Sequence, residues 1–183
     1  TTSFDNFQYS NEFNTGGIYD PNSDSWDATN LTGAPSARKR HTAIWTGSEM
    51  IVWGGHSSGG RYSLSRKGNG GIFDPISNNW RIMSSSGVPS ARFYHTAVWT
   101  GSEMIVWGGA TSDGYTNTGG IYNPATDSWR PMNTDGAPSP RVLHTAIWTG
   151  SKMIVWGGTS PKLYSGGIYD PDTDSWTSTY DTQ

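Results

Sequence analysis

The sequence predicts an all-β protein assembled from small repeated antiparallel sheets, and three observations carry that expectation. One block, His-Thr-Ala-(Ile/Val)-Trp-Thr-Gly-Ser, recurs at 41–48, 95–102 and 144–151, each time followed by Met-Ile-Val-Trp-Gly-Gly at 50–55, 104–109 and 153–158. A second block, Gly-Gly-Ile-(Tyr/Phe)-(Asp/Asn)-Pro, begins at Gly16, Gly70, Gly119 and Gly166, with Trp26, Trp80, Trp129 and Trp176 six residues beyond the Asp or Asn. The resulting spacings of 54, 49 and 47 residues are those of repeated supersecondary units. Composition is the third: the chain has 24 Gly, 10 Trp and 9 Tyr but only 33% hydrophobic residues, too few for one deep core and well suited to short strands and tight turns.

Each unit reads as four strands, a to d, at 41–46, 50–54, 71–74 and 80–83 in the first complete copy, on period-two alternation. The a–b connection Thr-Gly-Ser-(Glu/Lys) supplies a tight hairpin, with Gly47, Gly101 or Gly150 free to take positive φ. Between c and d, Pro presets φ and Asp or Asn can bond the backbone two residues on. Pro131 in a d strand places d at a sheet edge, where a missing backbone N–H is tolerated. Three Trp per unit, Trp45, Trp53 and Trp80 in the first, are expected to pack between neighbouring sheets.

Charge and cysteine content exclude several classes of function. Charged residues make up 15% of the chain and the net charge is −3, so there is no basic field to hold a nucleic-acid backbone. No apolar run approaches the roughly 20 residues of a membrane helix, and no membrane insertion is expected. With no cysteine, disulfides, thiolate metal sites and thiol nucleophiles are excluded.

Gly-Gly closing strand b, Tyr-Asp-Pro closing strand c and Trp opening strand d resemble the kelch repeat, and the resemblance runs from Gly16 to Trp176. It implies a β-propeller, with strand a innermost and strand d outermost in blades set around a channel. The expected division of 1–183 is an outer half-blade at 1–33 and complete blades at 34–84, 85–133 and 134–183. Fourteen strands fall short of an ordinary ring of about 4–8 blades. The chain is therefore expected to belong to a larger ring, its open faces covered by remaining blades of a longer chain or by further copies.

Most polar residues that stand out are absorbed by the repeat. His41, His95 and His144 occupy one repeat position, as do Arg38, Arg92 and Arg141 three residues earlier, and a residue needed in every blade suggests a repeated structural bond, not catalysis. The acidic run at 170–174 lacks the sixth-position glycine and twelfth-position glutamate of a calcium loop, and reads as a c–d turn. No catalytic set, metal site or cofactor is expected. The informative residues differ between copies in one slot: Lys39-Arg40, Phe93-Tyr94 and Val142-Leu143, directly after the repeated arginine. The b–c loops at 56–69, 110–118 and 159–165 also vary, and carry Arg61, Tyr62, Arg66, Lys67, Tyr115 and Tyr164. In the kelch domains that the chain resembles, the d–a connections and b–c loops form the partner-binding face.

The resulting expectation is a non-enzymatic binding or scaffold module, bacterial and extracellular or periplasmic, whose loop face contacts a protein or a glycan. Two alternatives stand beside it: part of an epimerase-like kelch enzyme with its catalytic residues mostly in other blades, and a structural subunit of a larger assembly.

Overall fold

The computed structural model describes residues 12–58, 64–159 and 164–179. Its strands are β1 (Gly17–Asp20), β2 (Ser25–Ala28), β3 (Thr42–Trp45), β4 (Met50–Trp53), β5 (His56–Ser58), β6 (Leu64–Arg66), β7 (Gly70–Asp74), β8 (Asn79–Ile82), β9 (Thr96–Trp99), β10 (Met104–Trp107), β11 (Ala110–Thr111), β12 (Gly114–Tyr115), β13 (Gly119–Asn123), β14 (Ser128–Pro131), β15 (Thr145–Trp148), β16 (Met153–Trp156), β17 (Gly166–Asp170) and β18 (Ser175–Ser178). Three antiparallel four-stranded blades result: β3-β4-β7-β8 (blade 1), β9-β10-β13-β14 (blade 2) and β15-β16-β17-β18 (blade 3). β1 and β2 form a separate two-stranded sheet, the c–d half of a blade. The b–c loops are more ordered than a loop reading implies, since β5 pairs with β6 and β11 with β12 in small extra hairpins.

Local chemistry explains each turn. In the a–b hairpins the Thr46, Thr100 and Thr149 hydroxyls accept the N–H groups of Glu49, Glu103 and Lys152 at 2.9, 2.9 and 3.0 Å. In the c–d turns Asp20, Asp74, Asn123 and Asp170 each accept the backbone N–H two residues on, and the αL position that follows is taken by Asp24, Asn78, Asp127 or Asp174, residue types that tolerate positive φ. Asp127 and Asp174 also accept a tyrosine O–H from their own turn, Tyr122 and Tyr169, and a backbone N–H from the preceding blade's connection, Ser84 and Asn133. The acidic run at 170–174 is therefore committed to its turn, with Asp170 also paired to Lys152 at 2.7 Å. Glu49 and Glu103 are likewise paired within their blades, to Arg81 and Arg130 at 3.0 Å each.

Blades meet first-strand to first-strand, β3 beside β9 and β9 beside β15, which sets strand a innermost and leaves d at the rim, Pro131 included. Two apolar layers fill the spaces between blades. Ile51, Trp53, Ile72 and Met83 of blade 1 meet Met104, Val106, Tyr122 and Trp129 of blade 2, and Ile105, Trp107, Ile121 and Met132 of blade 2 meet Met153, Val155, Tyr169 and Trp176 of blade 3. Each layer centres on a fully buried strand-b tryptophan. Trp53 lies 5.2 Å from the His95 ring and 5.4 Å from Trp129, and Trp107 lies 5.0 Å from His144 and 5.3 Å from Trp176. Trp45, expected to pack, is instead 55% exposed, because no strand a or b stands beside β1 to cover it among the described residues.

The repeated histidines join one blade to the next. His95 Nε2 lies 2.9 Å from the Thr42 hydroxyl and His144 Nε2 2.9 Å from that of Thr96, so the repeated bond crosses between blades. Burial, aided by the Arg92 charge, pushes the His95 pKa down to about 3, and burial with Arg141 takes His144 to about 4. The glycine ending strand b makes room for that ring: a Cβ on Gly54 would sit 2.5 Å from His95 Cε1, and one on Gly108 2.6 Å from His144 Cε1.

Two measurements test this account. Gly108 and Gly157 share a left-handed backbone, φ 71° and 68°, but a Cβ on Gly157 meets nothing within 4 Å. G157A should therefore cost only the backbone strain of about 1 kcal/mol, and G108A about 1–3 kcal/mol more for the overpacking, read as urea midpoints; equal losses would contradict the role assigned to the glycine. Because the histidines are neutral in the fold and titrate near 6.5 when unfolded, the unfolded chain binds more protons below that pH. Stability should fall as pH drops from 6.5 to 5, above the carboxylate range, by on the order of 1 kcal/mol per pH unit for each buried histidine. H144Q should flatten the slope, and a pH-independent midpoint would refute it.

Candidate partner-binding face

The variable slot is built on a buried arginine. Arg92 Nη1 donates to the Gly108 and Thr118 carbonyls at 3.0 and 2.6 Å, and its Nε to Ser90 O at 2.9 Å. Arg38 does the same with Gly54, Asn69 and Ser36, and Arg141 with Gly157, Ser165 and Ser139. These guanidiniums are occupied by carbonyls of the ends of strand b and the start of strand c. They are not presented over the channel as an anion-collecting ring.

The residue after each arginine pairs with the residue that follows the same blade's Gly-Gly, as isolated bridges Lys39↔His56, Phe93↔Ala110 and Val142↔Thr159. The next blade is tied in as well: Gly55 N–H donates to Arg92 O at 2.8 Å and Gly109 N–H to Arg141 O at 2.9 Å. The second residue of each pair then turns the chain down into strand a with positive φ: Arg40 58°, Tyr94 58°, Leu143 56°. Such a conformation costs on the order of 1–3 kcal/mol for side chains of these types and persists only where the surroundings impose it.

The two members of each pair therefore have different environments. Phe93 and Val142 are buried, and with Ala110 and the flank of Tyr94 they form an apolar cluster under the face; they support it and do not offer contact surface. Arg40 and Leu143 are exposed, and Tyr94 and Lys39 half-buried. Tyr115 on β12 and Tyr164 are also exposed. Arg61 and Tyr62 lie outside the described residues.

The structure adds one member that the sequence reading did not select, and gives Arg66, already expected on a b–c loop, a defined place. His56 is the one histidine outside the repeated position, a signal that was present but unused. It is 1% exposed, its ring is 4.7 Å from Phe93, and among the described residues neither ring nitrogen has a hydrogen-bond partner. Burial, followed by the charges of Arg40 and Lys39, lowers its pKa. Arg66 on β6 sets its guanidinium 5.7 Å from the Phe93 ring centre, with Nε unpartnered among the described residues. Arg40 stacks over Tyr94 at 4.4 Å. Glu12 crosses this edge, bonding Lys39 at 2.8 Å and the Ser58 hydroxyl at 2.8 Å, and the Lys39 bond, then that from Ser58, pulls its carboxyl down to about 2. The face thus changes character along the blades: cationic at Lys39, Arg40 and Arg66, aromatic at Tyr94, aliphatic at Leu143.

Residues 5–182 match the KLHDC2/KLHL20/DRC7 Kelch-repeats domain family. No curated protein matches the chain. The family match spans nearly the whole sequence, and its blade architecture is the one seen here, so the chain belongs to the kelch-repeat family.

Proposed function

We propose that this chain is a non-enzymatic protein-binding module whose partner lies across the d–a and b–c face, from Arg40 over Tyr94 to Leu143. Kelch-repeat domains commonly serve as protein-binding or scaffold modules. The observation that carries the reading is the graded face itself: one backbone slot, held in a strained αL conformation in all three blades, presents a guanidinium, a phenol ring and an aliphatic chain in a row. A frame that fixes the backbone and varies the side chain is where recognition is expected. Arg and Tyr are also the residue types that dominate binding energy at protein interfaces. The partner that fits is an extended segment with a carboxylate opposite Arg40 and apolar side chains over Tyr94 and Leu143, since Arg pairs carboxylates through charge-assisted bonds.

A displayed random-peptide library selected on the immobilised chain should enrich segments that set an acidic residue beside aliphatic or aromatic ones. R40A or Y94A should weaken a selected peptide at least about tenfold, while R81A, on the outer strand, should leave it unchanged. Failure to enrich any such pattern would refute the protein reading. Saturable binding on a glycan array that is lost in Y115A or Y164A would replace it with a sugar ligand.

A further inference from the structure

The joint between blades 1 and 2 holds a cluster that the repeat does not require. Three groups of blade 1 stand against one ring of blade 2: the His56 imidazole is 4.7 Å from Phe93, and the Arg66 and Arg40 guanidiniums are 5.7 and 6.0 Å from its centre. The next joint is built without any of them. Ala110 stands where blade 1 has His56, Tyr94 where it has Arg40, and Val142 where blade 2 has Phe93. Tyr115 pairs across its hairpin as Arg66 does across its own. Blades therefore pack without the imidazole, the two guanidiniums or the phenyl ring, and folding does not account for their meeting at one joint.

The polar atoms of this cluster are left over. His56 is 1% exposed, yet neither ring nitrogen has a hydrogen-bond partner among the described residues, and the buried Arg66 Nε has none either. Buried donors are ordinarily matched by an acceptor. No ion pair reaches Arg40 or Arg66 among the described residues, and Glu12 is committed to Lys39 and the Ser58 hydroxyl. Lys67 donates to the Ser65 hydroxyl at 3.2 Å. Lys39, Arg40, Arg66 and Lys67 thus concentrate positive charge at one joint of a chain whose net charge is −3. Unmatched donors and surplus cations in one place describe the complement of an anion.

We propose that the acidic group of the partner segment is a phosphoryl group, held at this joint by Arg40, Arg66 and His56 against Phe93. This rests on the protein-binding reading above and names the chemistry that the face selects. A phosphoryl dianion brings three strong acceptor oxygens, one for each of the three donor groups, where a carboxylate brings two. The rings of Phe93 and Tyr94 hold the guanidiniums by cation–π contact, so less side-chain freedom is lost on binding. The ligand also reverses the electrostatics at His56. Burial, then the Arg40 and Lys39 charges, disfavour its protonation, with Glu12 opposing them; an added dianion favours it, and the imidazolium then donates from both nitrogens. Binding is therefore coupled to uptake of a proton.

Blade 2 supplies the control substitutions, because H56A and R66Y give blade 1 the residues with which blade 2 already folds. The immobilised full chain is offered degenerate peptide libraries that differ only in one fixed residue: phosphoserine, glutamate or serine. Phosphoserine peptides should be retained at least about tenfold better than glutamate ones, and H56A or R66Y should remove that preference. In a second arm sulfate, a dianion that does not titrate in this range, is added calorimetrically to the chain. Its affinity should rise as pH falls from about 7.5 to about 6, by up to about tenfold per unit, and H56A should abolish the dependence. Equal retention of phosphoserine and glutamate peptides would overturn the phosphoryl assignment and leave the protein reading standing, whereas retention of none would remove both. Sulfate affinity independent of pH, or binding unchanged in H56A and R66Y, would overturn the site. Sulfate binding that H56A weakens, without any preference for phosphoserine, would overturn it in favour of a free-anion site.

Discussion

The structure depends on a buried guanidinium in every blade. Arg92, 1% exposed, spends its donors on the carbonyls of Ser90, Gly108 and Thr118, which are the ends of three different segments: the d–a connection, strand b and the approach to strand c. A buried charge is costly unless its donors are matched, and carbonyls at fixed distances provide that match. Because the same cation serves three segments, it fixes the Gly-Gly turn, and the turn fixes where the next blade's histidine can sit. The apolar layers around Trp53 and Trp107 supply the bulk of the burial, but the arginine decides their register.

This hierarchy explains why the inter-blade joints are so alike. Glycine at the end of strand b, histidine at the start of the next strand a, and the threonine after the preceding histidine form one repeating lock. A stack of units held by nearest-neighbour contacts gains stability joint by joint. Each joint here combines an indole layer with one hydrogen bond whose histidine is kept neutral by its own burial.

Much of this was legible in the sequence, because the determinants are periodic. Blocks repeated at 47 to 54 residues gave the blades, the hairpin glycines and the structural reading of the histidines. What escaped has a physical reason in each case. The β5-β6 and β11-β12 hairpins have no hydrophobic alternation; they form because Gly-Gly redirects the chain beside the arginine segment. The αL backbone at Arg40, Tyr94 and Leu143 has no sequence signature, since none of these residues favours it and the surroundings impose it. Phe93 and Val142 were read as contact residues because the pairs were taken as units, whereas the first residue of each pair is bridged to the segment after Gly-Gly and the second turns away in αL, so the two side chains meet different surroundings. Trp45 was read as packed from its repeat position alone, and a repeat position does not state whether a neighbour stands beside it.

The lock between blades also has a direction. One side of every joint offers a glycine and a tryptophan, and the other offers a histidine, so the two surfaces are complements and not duplicates. A contact made through them cannot obey a two-fold axis, because that would set like against like. Any assembly that extends this array through its open edges must be cyclic or helical, and every unit added to it points the same way around.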